Sequence, residues 1–231
     1  MSKIRPLVVI KKAHNILEFD NAVKNVLSGF DQLWFNYYPI HKTNQLMREA
    51  FLEVYKKHTH LIILCDDLIV NKESVDKIVK HAENGLGFVC GVANYDNTPV
   101  KRNFLNVSMK LAGRKRPYVF DNIIMGSDLH RQILSQPQPV KIKHMGEPFP
   151  IIRRDIAEQF SFNLDDKIHN LPALAGMNND VVMSNEADDL GIPIWCDFTA
   201  FFYHMKLSDA KMLLSLVGAR SSYTQFVPAK T

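Results

Sequence analysis

The chain has 231 residues, of which 46% are hydrophobic and 23% are charged, and its formal net charge is +4. This balance is typical of a globular protein with one α/β domain, or at most two small ones, and argues against disorder. The longest apolar runs, Pro6–Ile10 and Leu61–Cys65, are too short to cross a bilayer. Lys11 and Lys12 interrupt the first run, which is not the pattern of a secretory signal peptide.

The cysteine content points to a reducing compartment. Three cysteines, Cys65, Cys90 and Cys196, are far apart in the sequence. An odd number at this spacing excludes a disulfide framework and a CxxC zinc site. We therefore expect a cytoplasmic protein.

The first third of the chain alternates short apolar runs with segments of helical periodicity. Such alternation predicts an α/β fold, with a central, mostly parallel mixed sheet flanked by helices. Neither GxGxxG nor the P-loop pattern is present, so dinucleotide or P-loop phosphate binding is not supported. We predict strands at 6–10, 32–38, 61–65 and 86–93, and helices at 17–30, 43–57 and 74–84.

The middle of the chain is basic and less regular. Between Asp96 and Glu147, nine Lys and Arg residues face only two acids, giving a local charge of +7. The irregular pattern predicts excursions from the sheet. The local charge predicts an anionic ligand nearby, and a solvated basic surface is the alternative. In the last third we predict helices at 154–160, 178–190 and 208–217, and a strand at 192–203 followed by His204.

Two adjacent carboxylates, Asp66 and Asp67, follow the apolar run 61–65. A continuous apolar run predicts a strand buried on both faces of a sheet, and ligands collect outside the carboxyl ends of such strands. A divalent cation would compensate two carboxylates there, because hard cations take oxygen ligands. The alternative is a helix N-cap, in which either Asp accepts from free N–H groups.

Three segments, in this order, resemble the GT-A-fold glycosyltransferases, closest to the broad family two group. Residues 61–68 are similar to the strand that carries the family's DxD or xDD motif. Residues 146–160 are similar to its strand with paired basic residues leading into a helix. Residues 178–194, with Asn179-Asp180, are similar to its ED-motif helix and following strand, which usually ends in a His. The resemblance covers residues 4–206.

The resemblance implies a single GT-A domain over residues 1–231, with a nucleotide-binding half (1–93) and an acceptor-binding half with a C-terminal helix (94–231). It implies a hexosyltransferase-type enzyme that moves a sugar from a nucleotide-diphosphate sugar to a glycan, lipid-linked or protein acceptor, with Mn²⁺ or Mg²⁺. Asp67 and His204 would hold the metal and Asp180 would be the base of an inverting reaction. Asp66, Asn15 and Asn44 are the donor-binding candidates, and Asn179, Arg153 and Arg154 those for the acceptor or phosphates.

Each assignment has a simpler alternative. His204 fits a satisfied core histidine, and Asp180 fits an acid in the first turn of a helix. The motifs are also reduced, since Cys65 stands where the commoner motif has its first acid and Asn179 where the ED motif has Glu. A catalytically inactive relative that binds an anionic ligand therefore remains an alternative.

Two other functional classes were weighed. A sugar nucleotidyltransferase also uses an α/β sheet and paired acids, but a Gly-rich basic loop after the first strand is lacking. A nucleic-acid-binding module would use the basic middle segment, but its aromatic residues are too sparse for a stacking surface. Nucleic acid is therefore not an expected partner.

Overall fold

The computed structural model describes residues 4–12, 16–36, 40–97, 102–111, 121–162, 178–205 and 223–230. Its helices are Leu17–Val26 (α1), Ile40–Glu49 (α2), Lys72–Glu83 (α3), Asp128–Leu134 (α4), Arg154–Ala157 (α5) and Asn178–Asp189 (α6), and a π-helical segment, Ala50–Val54, follows α2. Its strands are Pro6–Lys12 (β1), Asp31–Asn36 (β2), His60–Cys65 (β3), Leu68–Ile69 (β4), Phe88–Asn97 (β5), Arg102–Ser108 (β6), Asn122–Ile124 (β7), Val140–Ile142 (β8), His144–Met145 (β9), Ile151–Arg153 (β10), Ile194–His204 (β11) and Tyr223–Val227 (β12).

One mixed sheet organises the chain, in the order β12-β2-β1-β3-β10-β5-β11-β4. β1 is parallel to β2 and β3, and β5 is parallel to β11, whereas β10 is antiparallel to both β3 and β5. Strands β2, β1, β3, β5 and β11 therefore all point the same way. The predicted α/β class, with a mostly parallel mixed sheet flanked by helices in a Rossmann-like domain, is confirmed.

The reversed strand β10 decides which of its flanking residues reach the functional edge. Ile151 is opposite Ile62, and Arg153 is opposite His60 at the amino end of β3. Because β10 runs against β3, the residues before it lie beside the carboxyl end of β3. The residues after it lie at the opposite edge of the sheet.

Both faces of the central strands are buried, as the apolar run 61–65 predicts. Leu61 and Ile63 pack into one core, with Phe51 of the π-helical segment. Ile62 and Leu64 pack into the other core, against α1 and α3. An ionic group can therefore escape the core only at the ends of these strands.

The predicted division at residue 93 does not coincide with a break in the structure. β5 continues through it to Asn97 and pairs with β6, which pairs in turn with β7 and β9. Part of the predicted irregular middle is thus an antiparallel extension of β5. The chain's last described strand, β12, adds to the edge of β2 and was not predicted. The predicted helix 208–217 lies outside the described residues.

Within the described residues, the structure contains no helix long and apolar enough to cross a membrane.

Candidate functional site

The candidate site lies where the carboxyl ends of β1, β3 and β11 meet. Asp66 and Asp67 form the turn between β3 and β4. The alternative in which they cap a helix is wrong, because α3 begins at Lys72 and is capped by Asn71, whose Oδ1 accepts from the N–H of Ser74 at 2.9 Å. The two carboxylates are therefore not explained by a helix terminus.

Strand pairing brings Asp67 and His204 together. Leu68 of β4 is opposite His204 of β11, and the N–H of Met205 donates to the carbonyl of Asp67 at 2.7 Å. The Oδ2 of Asp67 lies 3.2 Å from the Nε2 of His204, and about a third of each side chain is exposed (33% and 27%). Two residues 137 positions apart thus form an accessible pair at the sheet edge.

Each member of this pair shifts the pKa of the other. Burial by itself would lower the pKa of His204, but the hydrogen bond and charge of Asp67 raise it overall. Burial would likewise raise the pKa of Asp67, but the hydrogen bond and charge of His204 lower it overall. The ligand-free pair is therefore stabilised as a carboxylate and an imidazolium.

The same pair fits a divalent cation. Adjacent ligand atoms of an octahedral Mg²⁺, each about 2.1 Å from the ion, are about 3 Å apart, close to the separation of the Asp67 and His204 atoms. An imidazole next to a carboxylate favours Mn²⁺ over Mg²⁺. Among the described residues no three His, Cys, Asp or Glu side chains form a ready-made metal site. Apart from residues outside the described ranges, the remaining ligands would come from a bound molecule or water.

The donor-binding candidates are placed differently from one another. Asp66 lies in the site turn, is 5% exposed, and its N–H donates to the carbonyl of Lys11 at 3.2 Å. Asn44 is fully buried on the inward face of α2, next to Met47. The prediction that Asn44 contacts a donor is therefore corrected, because its side chain is not accessible to a ligand. Asn15 lies outside the described residues.

Asp180 enters the same region from the first turn of α6. Its Oδ1 accepts from the N–H of Val181 at 2.8 Å, as the helix-terminus alternative expects. Its Oδ2 lies 4.0 Å from the Nε2 of His144. Burial, and then the negative charge of Glu147, raise the pKa of Asp180 well above its usual range. Burial also lowers the pKa of His144 to about 4, so that this ring is neutral at pH 7.

A carboxylate with raised proton affinity is what a general base requires, because its pKa then lies closer to the working pH. Asp180 thus has two features at once, a local hydrogen bond to its own helix and a carboxyl group whose pKa is raised mainly by burial. Buried carboxyl groups with a perturbed pKa are candidates for catalysis.

Two charged residues that no sequence motif identified, Lys11 and Glu147, pair at the site. The Nζ of Lys11 lies 2.6 Å from the Oε2 of Glu147, and the Sγ of Cys65 donates to the same oxygen at 3.4 Å. By its charge, Lys11 also lowers the pKa of both Asp67 and Asp180, and so it acts on both halves of the site. Glu147 precedes β10, and only the direction of that strand reveals its position.

The prediction that Arg153 and Arg154 bind phosphates or the acceptor is corrected, because both residues lie at the other edge of the sheet. Arg153 pairs with the exposed Asp155 at 2.6 Å. Arg154 donates to the carbonyls of His58 at 2.8 Å and of Phe51 at 2.8 Å, and its guanidinium lies 4.1 Å from the Phe51 ring. Arg154 therefore ties α5 to the end of the π-helical segment.

We expect Arg154→Met to lower the free energy of unfolding by about 2–4 kcal/mol, because it leaves several carbonyls without a charged donor. Chemical denaturation measures this loss. Arg153→Met is the matched control and should change stability by less than about 1 kcal/mol, since its ion pair is exposed. Neither variant should alter nucleotide affinity, and a large loss of affinity in Arg154→Met with unchanged stability would restore it as a ligand.

Several predicted residues cannot be placed by their side chains. The backbone of Asn179 lies in α6, but its side chain is outside the described part of the structure. The basic middle segment, for which an anionic ligand was predicted, includes Arg114, Lys115 and Arg116, and these three residues also lie outside the described part.

Comparisons with known proteins support the fold alone. No family model matches the chain, and no curated protein matches it. Among solved structures, the chain is similar to A197 from STIV, with a TM-score of 0.54 and 16% sequence identity, covering 85% of this chain and 83% of that one. The likeness covers most of both chains and shows that they share the α/β fold.

Proposed function

We propose that the protein is a metal-dependent glycosyltransferase of the GT-A, family-two type, which moves a sugar from a nucleotide-diphosphate sugar to an acceptor hydroxyl. The observation that carries the proposal is the Asp67–His204 pair, 3.2 Å apart at the carboxyl end of the parallel strands. Ligands of open α/β sheets bind at this edge. Asp180 approaches the same edge with a raised pKa, which adds a candidate base.

Asp67 and His204 would act on the leaving group through a bound metal ion. A divalent cation held by Asp67 and His204 would act as a Lewis acid that stabilises the negative charge of the departing nucleoside diphosphate. Asp66, in the same turn, is the candidate acceptor of hydrogen bonds from the donor. The protein's contribution is to hold these side chains at fixed spacing through the pairing of β4 with β11.

Asp180 would activate the nucleophile, the acceptor hydroxyl. Its carboxylate takes the proton of the acceptor hydroxyl as the hydroxyl oxygen forms a bond to the anomeric carbon. The bond from that carbon to the diphosphate oxygen breaks with its electron pair, so the products are the glycosylated acceptor and the nucleoside diphosphate. Attack from the side opposite the leaving group inverts the anomeric configuration.

A thermal-shift panel tests the class of ligand. UDP-, GDP- and dTDP-sugars are each added with and without Mn²⁺, and we expect one nucleotide to raise the melting temperature only when the metal is present. Stabilisation at 100 times the dissociation constant is about 2.7 kcal/mol, which is readily measured. No shift with any donor contradicts the proposal, and release of pyrophosphate from a nucleoside triphosphate would favour a nucleotidyltransferase instead.

Metal affinity should depend on pH through His204, because only the neutral imidazole can ligate. Its pKa is raised by Asp67, so Mn²⁺ affinity should weaken about tenfold for each pH unit below that raised value. Calorimetric titration of Mn²⁺ between pH 5.5 and pH 8.5 measures the effect. His204→Asn removes the titrating ring, and persistence of the same pH dependence in that variant would assign it to another group.

The ionised Asp67–His204 pair should also make the stability of the ligand-free protein depend on pH. The pKa of His204 is raised on folding, so its contribution is full below its ordinary value of about 6.5 and is lost as pH rises through the raised value. The pKa of Asp67 is lowered, so its contribution is present above about pH 4 and is lost as pH falls through the lowered value. The pair therefore stabilises the ligand-free protein most between these limits.

A further inference from the structure

The ion pair between Lys11 and Glu147 lies almost out of solvent, with side chains 12% and 10% exposed. Removing two charges from water is unfavourable, and a buried ion pair is often no more stabilising than apolar side chains of the same volume. Stability alone is therefore a poor reason for this pair. Its position beside Cys65, at the carboxyl ends of β1 and β3, gives another.

The backbone that presents Glu147 is strained. Glu147 and Phe149 both adopt left-handed conformations, with φ of 56° and 57°, which residues other than glycine seldom adopt. Such outliers persist only where the surroundings enforce them, and they concentrate at functional sites. Here Phe149 is fully buried and stacks on Phe202 with ring centroids 5.3 Å apart.

Hydrogen bonds fix the same segment on both sides of Glu147. The N–H of Gly91 donates to the carbonyl of Pro148 at 3.1 Å, and the N–H of Gly146 donates to the carbonyl of Asn106 at 2.6 Å. The carboxylate is thus held in place against Lys11 by its backbone. The lysine, by contrast, carries its charge on a flexible four-carbon stem and can be redirected.

We propose that Lys11 is the cation that receives the phosphate groups of the donor, and that Glu147 is its counter-ion until the donor arrives. This inference rests on the proposed function and adds a residue to the donor site. A phosphate offers Lys11 more negative charge and more acceptor oxygens than one carboxylate does. Lys11 lies at the end of β1, next to β3, whose turn carries Asp66 and Asp67. The same phosphates can therefore contact Lys11 and a metal ion held by Asp67 and His204.

Binding of UDP, GDP and dTDP in the presence of Mn²⁺ tests the inference, measured by calorimetry with the nucleotide that wild type binds best. We expect Lys11→Met to weaken binding about 10- to 100-fold, the effect of losing a charge-assisted hydrogen bond. We expect Glu147→Gln to tighten it about 3- to 10-fold, because the competing carboxylate is gone. Lys72→Met is the control, since Lys72 forms an exposed ion pair with Asp76 at 2.7 Å, and it should bind within about twofold of wild type.

Lys11→Met removes the cation that pairs with the buried Glu147 and is at risk of misfolding. The double variant Lys11→Met/Glu147→Gln removes both charges, and we expect it to melt like wild type and to bind as weakly as the single variant. Wild-type affinity in a folded double variant, or weaker binding by Glu147→Gln, overturns the inference while the proposed function stands. Absence of nucleotide binding by wild type overturns both.

Discussion

Asp67→Ala is expected to weaken Mn²⁺ binding at least about 100-fold and to remove the metal-dependent part of donor affinity. Loss of even an outer partner of a metal ligand typically costs 10- to 100-fold in affinity, and Asp67 is assigned to the metal directly. Calorimetry of Mn²⁺, with and without the nucleotide, measures both effects. Asp76→Ala removes an exposed carboxylate of α3 that pairs only with Lys72, and it should leave both affinities unchanged.

A second measurement on the same variant needs no ligand. Asp67 holds the pKa of His204 above its ordinary value against the effect of burial. Asp67→Ala should therefore lower the pKa of His204 below that of the wild-type protein, which histidine ring signals in an NMR titration report. An unchanged pKa, together with unchanged Mn²⁺ affinity, would mean that the two side chains do not interact in solution and would remove the main support for a metal site.

The pattern of β3 was sufficient to predict its place in the fold. Five consecutive buried positions, 60–64, require cover on both faces, and the carboxylates that follow can lie only at the strand's end. The pairing of Asp67 with His204 was predicted only through the family resemblance. Nothing in the residues alone states that β4 and the end of β11 are neighbours.

The direction of β10 could not be read from the sequence, and it accounts for the site residues that were misassigned. Three residues, 151–153, carry too little pattern to distinguish a parallel from an antiparallel strand. In the antiparallel arrangement Glu147 enters the site, and Arg154 goes to the opposite edge, where it contacts backbone carbonyls. Because β10 is antiparallel, the site contains the acidic Glu147 in place of the two predicted arginines.

Burial explains the other correction. Asn44 has the polarity of a ligand, but helical periodicity places it on the same face as Met47, and that face packs against the sheet. Its Nδ2 and Oδ1 have no hydrogen-bond partner in the structure as described. Polarity by itself therefore did not identify a surface position, and the periodicity of α2 was the better guide.

Asp180→Asn is expected to lower the rate of sugar transfer about 10²- to 10⁴-fold while donor affinity stays close to that of wild type. The substitution removes the proton acceptor and keeps nearly the same shape. It also separates the two roles of the side chain, because Asn serves a helix N-terminus about as well as Asp does. Steady-state transfer assays with the donor identified by thermal shift measure the rate, and calorimetry measures affinity.

The pH profile distinguishes the base from a structural carboxylate. Burial and the charge of Glu147 raise the pKa of Asp180, so wild-type activity should fall as pH decreases through that raised value, where the carboxylate takes up a proton. The residual activity of Asp180→Asn should lack this acidic limb. If the variant folds and transfers sugar at the wild-type rate, the Val181 hydrogen bond is the whole role of Asp180. A wild-type rate would also mean that another group accepts the proton.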